Sequence, residues 1–149
     1  MTQRHRAQNQ RIMMATTVVK NRRPVFMDPT KARIAVESIY AVQVRKPFFL
    51  HAFVAMPDHC HLLFSIPEEG SVSRIMHAYK RAVAFEIDEG PLWQARFDCR
   101  LIRKYPEAVS YIHMNPVTAG LCQFPEAYPW SSASGKRDIV ELDFMGGFA

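Results

Sequence analysis

The feature that most constrains the fold is a pair of strand-like segments joined by a tight turn at Pro57-Asp58. Residues 48–56 are almost continuously apolar, which is typical of a strand buried on both faces. Residues 59–66 instead alternate, so His59 and His61 project from one face about 7 Å apart. The opposite face is uniformly apolar and consists of Cys60, Leu62, Phe64 and Ile66. These segments predict two strands that bury apolar side chains and present two histidines together.

The rest of the chain predicts two further strands and three helices. The strands are expected at residues 11–19 and 92–102, and the helices at residues 30–44, 71–87 and 106–118. The resulting order, β-α-β-β-α-β-α, predicts an α+β fold with a ferredoxin-like four-stranded antiparallel sheet and one added helix. We expect one domain over residues 12–133, a flexible basic arm over residues 1–11 and an irregular C-terminal tail over residues 134–149.

Positive charge is concentrated in the first third of the chain. The net charge is +5, yet residues 1–46 carry ten Lys and Arg against two Asp and Glu, and the remaining residues carry nine against twelve. This asymmetry favours a partner such as nucleic acid, although a solvated basic tail without a partner fits it equally well.

The composition argues against a membrane protein or a secreted one. No apolar run reaches the roughly 18–20 residues that span a bilayer, and the N-terminal segment is polar and basic. Three widely spaced cysteines, Cys60, Cys99 and Cys122, form no CxxC pair. We therefore expect a reduced, cytoplasmic protein without a membrane partner.

His59 and His61 are the candidate metal ligands. Two imidazoles on one strand face make half of a site for a divalent cation, which would need oxygen ligands to complete its shell. Cys60 points to the apolar face and is interpreted as a small core residue. Taken alone, the pair also fits two hydrogen-bonded histidines on a half-exposed strand.

Tyr111 and Asn115 lie four residues apart on the third predicted helix and therefore share a face. A tyrosine hydroxyl can attack phosphorus, and an amide oxygen can reach a nearby metal. The alternative is that Tyr111 packs in the core. Tyr79 is a competing nucleophile, but it shares an apolar helical stripe with Ile75 and Val83 and is interpreted as core.

Four stretches of the chain together resemble the HUH-endonuclease single-tyrosine transposases, and most closely the REP-associated tyrosine transposases. They are Ala55-Met56-Pro57-Asp58-His59-Cys60-His61-Leu62-Leu63, Gly90-Pro91-Leu92-Trp93-Gln94-Ala95-Arg96-Phe97, Tyr111-Ile112-His113-Met114-Asn115-Pro116-Val117-Thr118-Ala119-Gly120 and Tyr128-Pro129-Trp130-Ser131-Ser132. The resemblance implies an HUH endonuclease fold, a Mg²⁺ or Mn²⁺ ion, and a transposase whose tyrosine becomes joined to a DNA 5′ phosphate. The HUH motif falls on His59, Cys60 and His61, the nucleophile on Tyr111, and an oxygen ligand on Asn115. Cys60 is smaller than the bulky apolar residue that is usual there, a departure expected to affect packing.

The implied partner is single-stranded or hairpin DNA, and the oligomeric state, including a homodimer, is left open. Candidate phosphate contacts are Arg4, Arg6, Arg11, Lys20, Arg22, Arg23 and Arg96, and candidate stacking residues are Phe48, Phe49, Trp93 and Trp130. Three alternatives remain: a replication initiator or relaxase with the same chemistry, a domesticated hairpin-binding protein that does not cleave, and an RNA-binding ferredoxin-like module.

Overall fold

A computed structural model of the chain describes residues 11–67 and 69–141. These residues form strands β1 (Ile12–Val19), β2 (Phe49–Met56), β3 (His59–Ser65) and β4 (Trp93–Ile102), and helices α1 (Pro29–Arg45), α2 (Val72–Ile87) and α3 (Tyr105–Thr118). The predicted element order is confirmed, with bounds close to those expected. Arg4 and Arg6, and most of the predicted basic arm, lie outside the described residues.

The strands form one sheet in the order β2-β3-β1-β4, and every neighbouring pair is antiparallel. This is the predicted ferredoxin-like arrangement. Strand β3 lies inside the sheet, so the segment with alternating side chains is paired on both sides. His61 lies opposite Thr16 of β1 and Val54 of β2, and Thr16 in turn lies opposite Asp98 of β4.

The two faces of the sheet are covered by different helices. Helices α1 and α2 pack on one face, where Cys60, Leu62 and Phe64 join the main core. Cys60 is 1% exposed, which confirms its interpretation as a core residue. Tyr79 is also buried in this core, and its hydroxyl donates a hydrogen bond to the Ala35 carbonyl at 2.8 Å. Tyr79 therefore has no access to a bound nucleic acid, as its apolar stripe predicted.

Helix α3 packs on the opposite face of the sheet, mainly against β2. Its buried residues Ala108 and Ile112 join Val54 and Leu63 in a second, smaller core. Pro106 and Glu107 occupy the first turn, where a missing N–H and a negative charge are both favourable. The helix is followed by Gly120 at φ +78°, a left-handed conformation that favours glycine.

The C-terminal segment covers the outer edge of β2. The Ala55 N–H donates to the Trp130 carbonyl at 2.8 Å, and the Val140 N–H donates to the Leu50 carbonyl at 2.7 Å. An exposed edge strand with unpaired backbone groups invites aggregation, and this segment satisfies several of those groups. In the described part of the chain, no helix has the length and apolarity to cross a membrane.

Candidate active site

The two predicted metal ligands lie side by side on β3, on the face that α3 covers. The ring centroids of His59 and His61 are 4.8 Å apart, and their planes are nearly perpendicular at 78°. His61 is 6% exposed, whereas the His59 side chain is 18% exposed and lies at the rim. The alternation read from the sequence therefore brings both imidazoles to one place.

Each imidazole uses its Nδ1 atom for a hydrogen bond to a neighbouring side chain. His61 Nδ1 lies 2.7 Å from the Thr16 hydroxyl, and His59 Nδ1 lies 2.7 Å from the Asp58 carboxylate. Arg22 donates to the other oxygen of Asp58 at 3.0 Å. The Nε2 atom of His61 is buried and has no hydrogen-bond partner among the described residues. A buried polar atom without a partner is uncommon and calls for an explanation.

The surroundings of His61 keep its ring neutral. Burial is the main cause that lowers the pKa of His61 to about 4; charge on His59 and Arg100 acts in the same direction, and Asp98 opposes them. Burial raises the pKa of the Asp58 carboxyl, but the hydrogen bonds from His59 and Arg22 outweigh it, and the net pKa is lowered. At neutral pH the site therefore combines an uncharged His61 with an ionised Asp58.

Tyr111 lies beside His61, on the face of the sheet that α3 covers. Its ring centroid is 5.5 Å from that of His61, although the two residues come from different elements and are 50 positions apart in the sequence. Ile112 is fully buried between α3 and the sheet. The neighbouring Tyr111 lies at the edge of this contact, and its side chain is 53% exposed. The alternative in which Tyr111 is a core residue is wrong. Its hydroxyl-bearing ring is accessible and adjoins the histidine pair.

The position of α3 is set by contacts with the C-terminal segment. His113 Nε2 lies 2.8 Å from the Ser132 hydroxyl, which also accepts the Phe53 N–H of β2 at 3.0 Å. The Tyr128 hydroxyl donates to the Ala55 carbonyl of β2 at 2.8 Å. The motif at residues 128–132 thus connects the helix that carries Tyr111 to the edge strand.

Asn115, the predicted oxygen ligand, is half-buried on α3 one turn after Tyr111. Its side chain makes no hydrogen bond to either histidine among the described residues. Within the same residues, no cluster of three His, Cys, Asp or Glu side chains is arranged to hold a metal ion. The donor set nevertheless fits a divalent cation, because the buried His61 Nε2 has no partner within residues 11–67 and 69–141 and the Nδ1 atoms of both rings are already engaged.

The predicted phosphate contacts occupy different environments. Arg11, Lys20, Arg22 and Arg23 are all exposed. Arg22, however, pairs with Asp58 beside the histidines, and Arg23 donates to the Pro91 carbonyl at 3.1 Å, so both also hold the turn after β1 in place. Arg96 is exposed and forms no ion pair with the described residues. It lies where the register of β4 against β1 shifts.

Sequence reasoning missed Arg100 and Asp98. Asp98 lies opposite Thr16 and Arg100 opposite Met14 on the neighbouring strand, so both face the histidine side of the sheet. They form an exposed ion pair at 3.0 Å. Their spacing of two residues predicts that both side chains lie on the same face of β4. Which face of the sheet this is becomes clear only from the register of β4 against β1.

The predicted stacking aromatics are mostly structural. Phe48 is buried against Phe64, and the Trp93 indole N–H donates to the Lys80 carbonyl at 3.0 Å. Phe49 and Trp130 are half-buried and pack against the core beneath α3. Phe48 and Trp93 are therefore unsuited to stacking on bases in this structure.

The sequence is similar to known transposases over most of its length. The family described as "Transposase IS200 like" matches residues 8–113. A REP-associated tyrosine transposase of Escherichia coli strain K12 is 28% identical over 137 residues, which cover 88% of this chain and 82% of that protein. A Haemophilus influenzae protein assigned provisionally to the same group is 32% identical over 120 residues, covering 67% of this chain and 68% of the relative.

Solved structures share the fold. A REP-associated tyrosine transposase bound to a REP hairpin superposes with a TM-score of 0.77 and 25% identity, covering 91% of this chain and 85% of that one. A transposase-like protein of Deinococcus radiodurans R1 has a TM-score of 0.56 at 16% identity, covering 74% and 89%, and this shows the fold alone. With a family match over more than half of its residues, the chain belongs to the IS200-like transposases.

Proposed function

We propose that the chain is a metal-dependent endonuclease and strand transferase for single-stranded or hairpin DNA, with Tyr111 as its nucleophile. The observation that carries this proposal is the contact between the Tyr111 and His61 rings within one chain, whose centroids are 5.5 Å apart. A half-exposed tyrosine beside two histidines is the arrangement that a covalent phosphotyrosine mechanism needs, because the hydroxyl must meet a phosphate that the histidine site can bind.

The reaction would begin with attack of the Tyr111 oxygen on the scissile phosphorus. The tyrosyl O–P bond forms as the bond from phosphorus to the 3′ oxygen of the preceding nucleotide breaks. Tyr111 is 53% exposed, so its proton can pass to solvent water, and the departing 3′ oxygen takes up a proton in return. The product is a 5′-phosphotyrosine and a free 3′ hydroxyl. A different 3′ hydroxyl can attack the phosphotyrosine, which rejoins DNA without ATP.

His59 and His61 would hold a Mg²⁺ or Mn²⁺ ion through their Nε2 atoms, with the Asn115 amide oxygen as a third ligand. When bound, such an ion polarises the phosphate and stabilises charge on the departing oxygen. The buried Nε2 of His61, which has no hydrogen-bond partner in the part of the chain that the structure describes, supports this assignment. Asn115 is assigned from its place on α3, one helical turn after Tyr111.

Hairpin DNA is the proposed substrate because a structural relative is bound to a REP hairpin. Arg11, Lys20, Arg23 and Arg96 are exposed and available for phosphate contacts, and we add Arg100 on the histidine side of the sheet. Arg4 and Arg6 complete the proposed set in the N-terminal arm. Arg22 is retained, although its pairing with Asp58 gives it a second role.

The proposal is tested by trapping the covalent adduct. The protein is incubated with Mn²⁺ and hairpin DNAs taken from beside its own gene, labelled at either the 5′ or the 3′ end. We expect an adduct on a denaturing gel that carries only the 3′-end label, because the phosphotyrosine retains the downstream strand. Tyr111→Phe should abolish the adduct while preserving hairpin binding.

Tyr79→Phe provides a control because Tyr79 is a buried tyrosine on the other side of the sheet. This variant should still form the adduct. Tight hairpin binding by wild type without any adduct would refute the proposed chemistry and favour a hairpin-binding protein that does not cleave. Cleavage that persists in Tyr111→Phe would refute the assignment of the nucleophile.

A further inference from the structure

Two side chains outside the proposed ligand set contact the Nδ1 atoms of the two imidazoles. Thr16 lies 2.7 Å from His61 Nδ1, and Asp58 lies 2.7 Å from His59 Nδ1. Both contacts involve Nδ1, which leaves Nε2 of each ring for another purpose. Since a neutral imidazole carries one proton, the partner of Nδ1 decides whether Nε2 carries a proton or a lone pair.

At His59 the direction of the hydrogen bond is fixed by chemistry. An ionised carboxylate can only accept, so His59 Nδ1 must be the donor. Arg22 donates to the second carboxylate oxygen at 3.0 Å and holds Asp58 in the orientation that accepts from His59. In neutral His59 the Nε2 atom is therefore left with a lone pair.

At His61 the direction follows from the surroundings of Nε2. A threonine hydroxyl can donate or accept, so the 2.7 Å contact alone allows either tautomer. A proton on Nε2 would be a buried N–H with no acceptor among the described residues, and buried N–H groups of that kind are rare. Donation from Nδ1 to the Thr16 oxygen avoids this penalty and again leaves a lone pair on Nε2.

Backbone hydrogen bonds hold the turn that carries Asp58 in place. The Val19 N–H donates to the Asp58 carbonyl and the Phe26 N–H donates to the Pro57 carbonyl, both at 2.9 Å. Between these two donors the chain passes through Asn21 at φ 59° and Arg22 at φ 50°, two left-handed residues that bring the Arg22 side chain to Asp58. The carboxylate is thus positioned before any ligand arrives.

The structure assigns Thr16 and Asp58 as positioning residues that hold His61 and His59 in the Nδ1–H tautomer, so that both Nε2 lone pairs are available to one divalent cation. Arg22 supports Asp58 in this role. The inference rests on the proposed metal site, yet the tautomers it specifies belong to the metal-free protein. They can therefore be measured whether or not the chain cleaves DNA.

Mn²⁺ affinity, measured by calorimetry on the full chain without DNA, gives the first test. Thr16→Val keeps the shape of the side chain but removes the hydroxyl, and we expect binding to weaken by about 10-fold or more. Thr16→Ser restores the hydroxyl and should bind within about 3-fold of wild type, which is small beside the 10–100-fold typical of lost outer-shell partners. Asp58→Ala should weaken binding by a similar factor of about 10.

Thr17→Val is the matched control. Thr17 is the next residue on β1, is fully buried on the other face of the sheet, and has a hydroxyl without a partner among the described residues. Its substitution should leave Mn²⁺ affinity unchanged. If Thr17→Val weakened binding as much as Thr16→Val, the effect would come from the strand in general and the inference would be overturned.

Nitrogen-15 NMR of the histidine rings at about pH 8, where an unperturbed imidazole is neutral, gives the second test. In metal-free wild type, both His59 and His61 should show a protonated Nδ1 and an unprotonated Nε2. Thr16→Val should shift His61 toward a mixture of tautomers and leave His59 unchanged.

An Nε2–H tautomer of either histidine in wild type would overturn the inference. So would a loss of Mn²⁺ affinity in Thr16→Val without a change of tautomer, because the hydroxyl would then act only through packing. If the wild type bound no Mn²⁺, the proposed metal site would be refuted. The tautomers of His59 and His61 would still show whether Thr16 and Asp58 position the two rings.

Discussion

The Ser132 hydroxyl connects three parts of the molecule, and its removal should loosen the helix that carries Tyr111. It accepts the Phe53 N–H at 3.0 Å, lies 2.8 Å from His113 Nε2, and donates to the Phe53 carbonyl at 3.3 Å. Ser132 is 6% exposed, so water cannot readily replace these bonds. Ser132→Ala deletes all three at once and leaves the Phe53 N–H without a partner.

The expected loss of stability follows from these contacts. Each hydrogen bond contributes about 0.5–1.5 kcal/mol net, and the 3.3 Å contact lies at the weak end of that range. We therefore expect the free energy of unfolding to fall by about 2–3 kcal/mol. For a chain of 149 residues this corresponds to a decrease in Tm of about 5–10 °C.

A functional effect should accompany the loss of stability because His113 is two residues from Tyr111 on α3. A displacement of about 1 Å at a reacting group can slow a reaction about 100-fold. We expect adduct formation at saturating hairpin to slow by about 10-fold or more, whereas hairpin affinity should change little.

Thermal unfolding and single-turnover adduct formation measure the two effects, with Ser134→Ala as the control. Ser134 is half-buried, donates to the Ser131 carbonyl at 2.9 Å and accepts from the Lys136 N–H at 3.4 Å, and among the described residues it forms no hydrogen bond to α3. Ser134→Ala should lower the free energy of unfolding by about 1 kcal/mol or less and leave the rate of adduct formation unchanged. Unchanged stability and rate in Ser132→Ala would refute the reasoning that this hydroxyl anchors the tyrosine helix.

Single substitutions at three other side chains should change stability, its pH dependence or DNA binding. Tyr79→Phe should lower stability by about 0.5–1.5 kcal/mol, because the buried hydrogen bond from the Tyr79 hydroxyl to the Ala35 carbonyl is lost; a Tm equal to wild type would contradict the core assignment. Burial lowers the pKa of His51 below its usual value, so the folded state resists protonation and stability should decrease as the pH falls below about 6.5; because the pKa of His61 is lowered too, His51→Gln should reduce that decrease in urea unfolding without removing it, and an unaltered slope would refute the assignment. Arg100→Gln should weaken hairpin binding and reduce the salt dependence of log Kd by about one unit, and an identical salt slope would exclude a phosphate contact.

The strands and helices, and the two histidines of the site, were predictable from the sequence because they depend on local patterns. The alternation along β3 placed Cys60 in the core and the two histidines on one face, as the structure confirms. The period of α2 likewise identified Tyr79 as a core residue. Strands and helices have fixed periods, so such assignments need no knowledge of the tertiary fold.

The contacts between elements were not predictable from periodicity. The pairing of Thr16 with His61 depends on the register of β1 against β3, and the approach of Tyr111 depends on how α3 docks on the sheet. Arg22 was predicted as a phosphate contact from charge alone, and its ion pair with Asp58 arises from a left-handed turn. The segment at residues 128–132 forms hydrogen bonds to β2 that have no local signature in the sequence.

Peptide mass spectrometry can identify the residue that attacks DNA, which we expect to be Tyr111 beside His59 and His61. The protein is incubated with Mn²⁺ and a cognate hairpin, the adduct is digested with nuclease and protease, and the modified residue is identified. We expect a nucleotide linked through its 5′ phosphate to Tyr111. Attachment to Tyr79 or any other residue, from a protein that cleaves the hairpin, would contradict it.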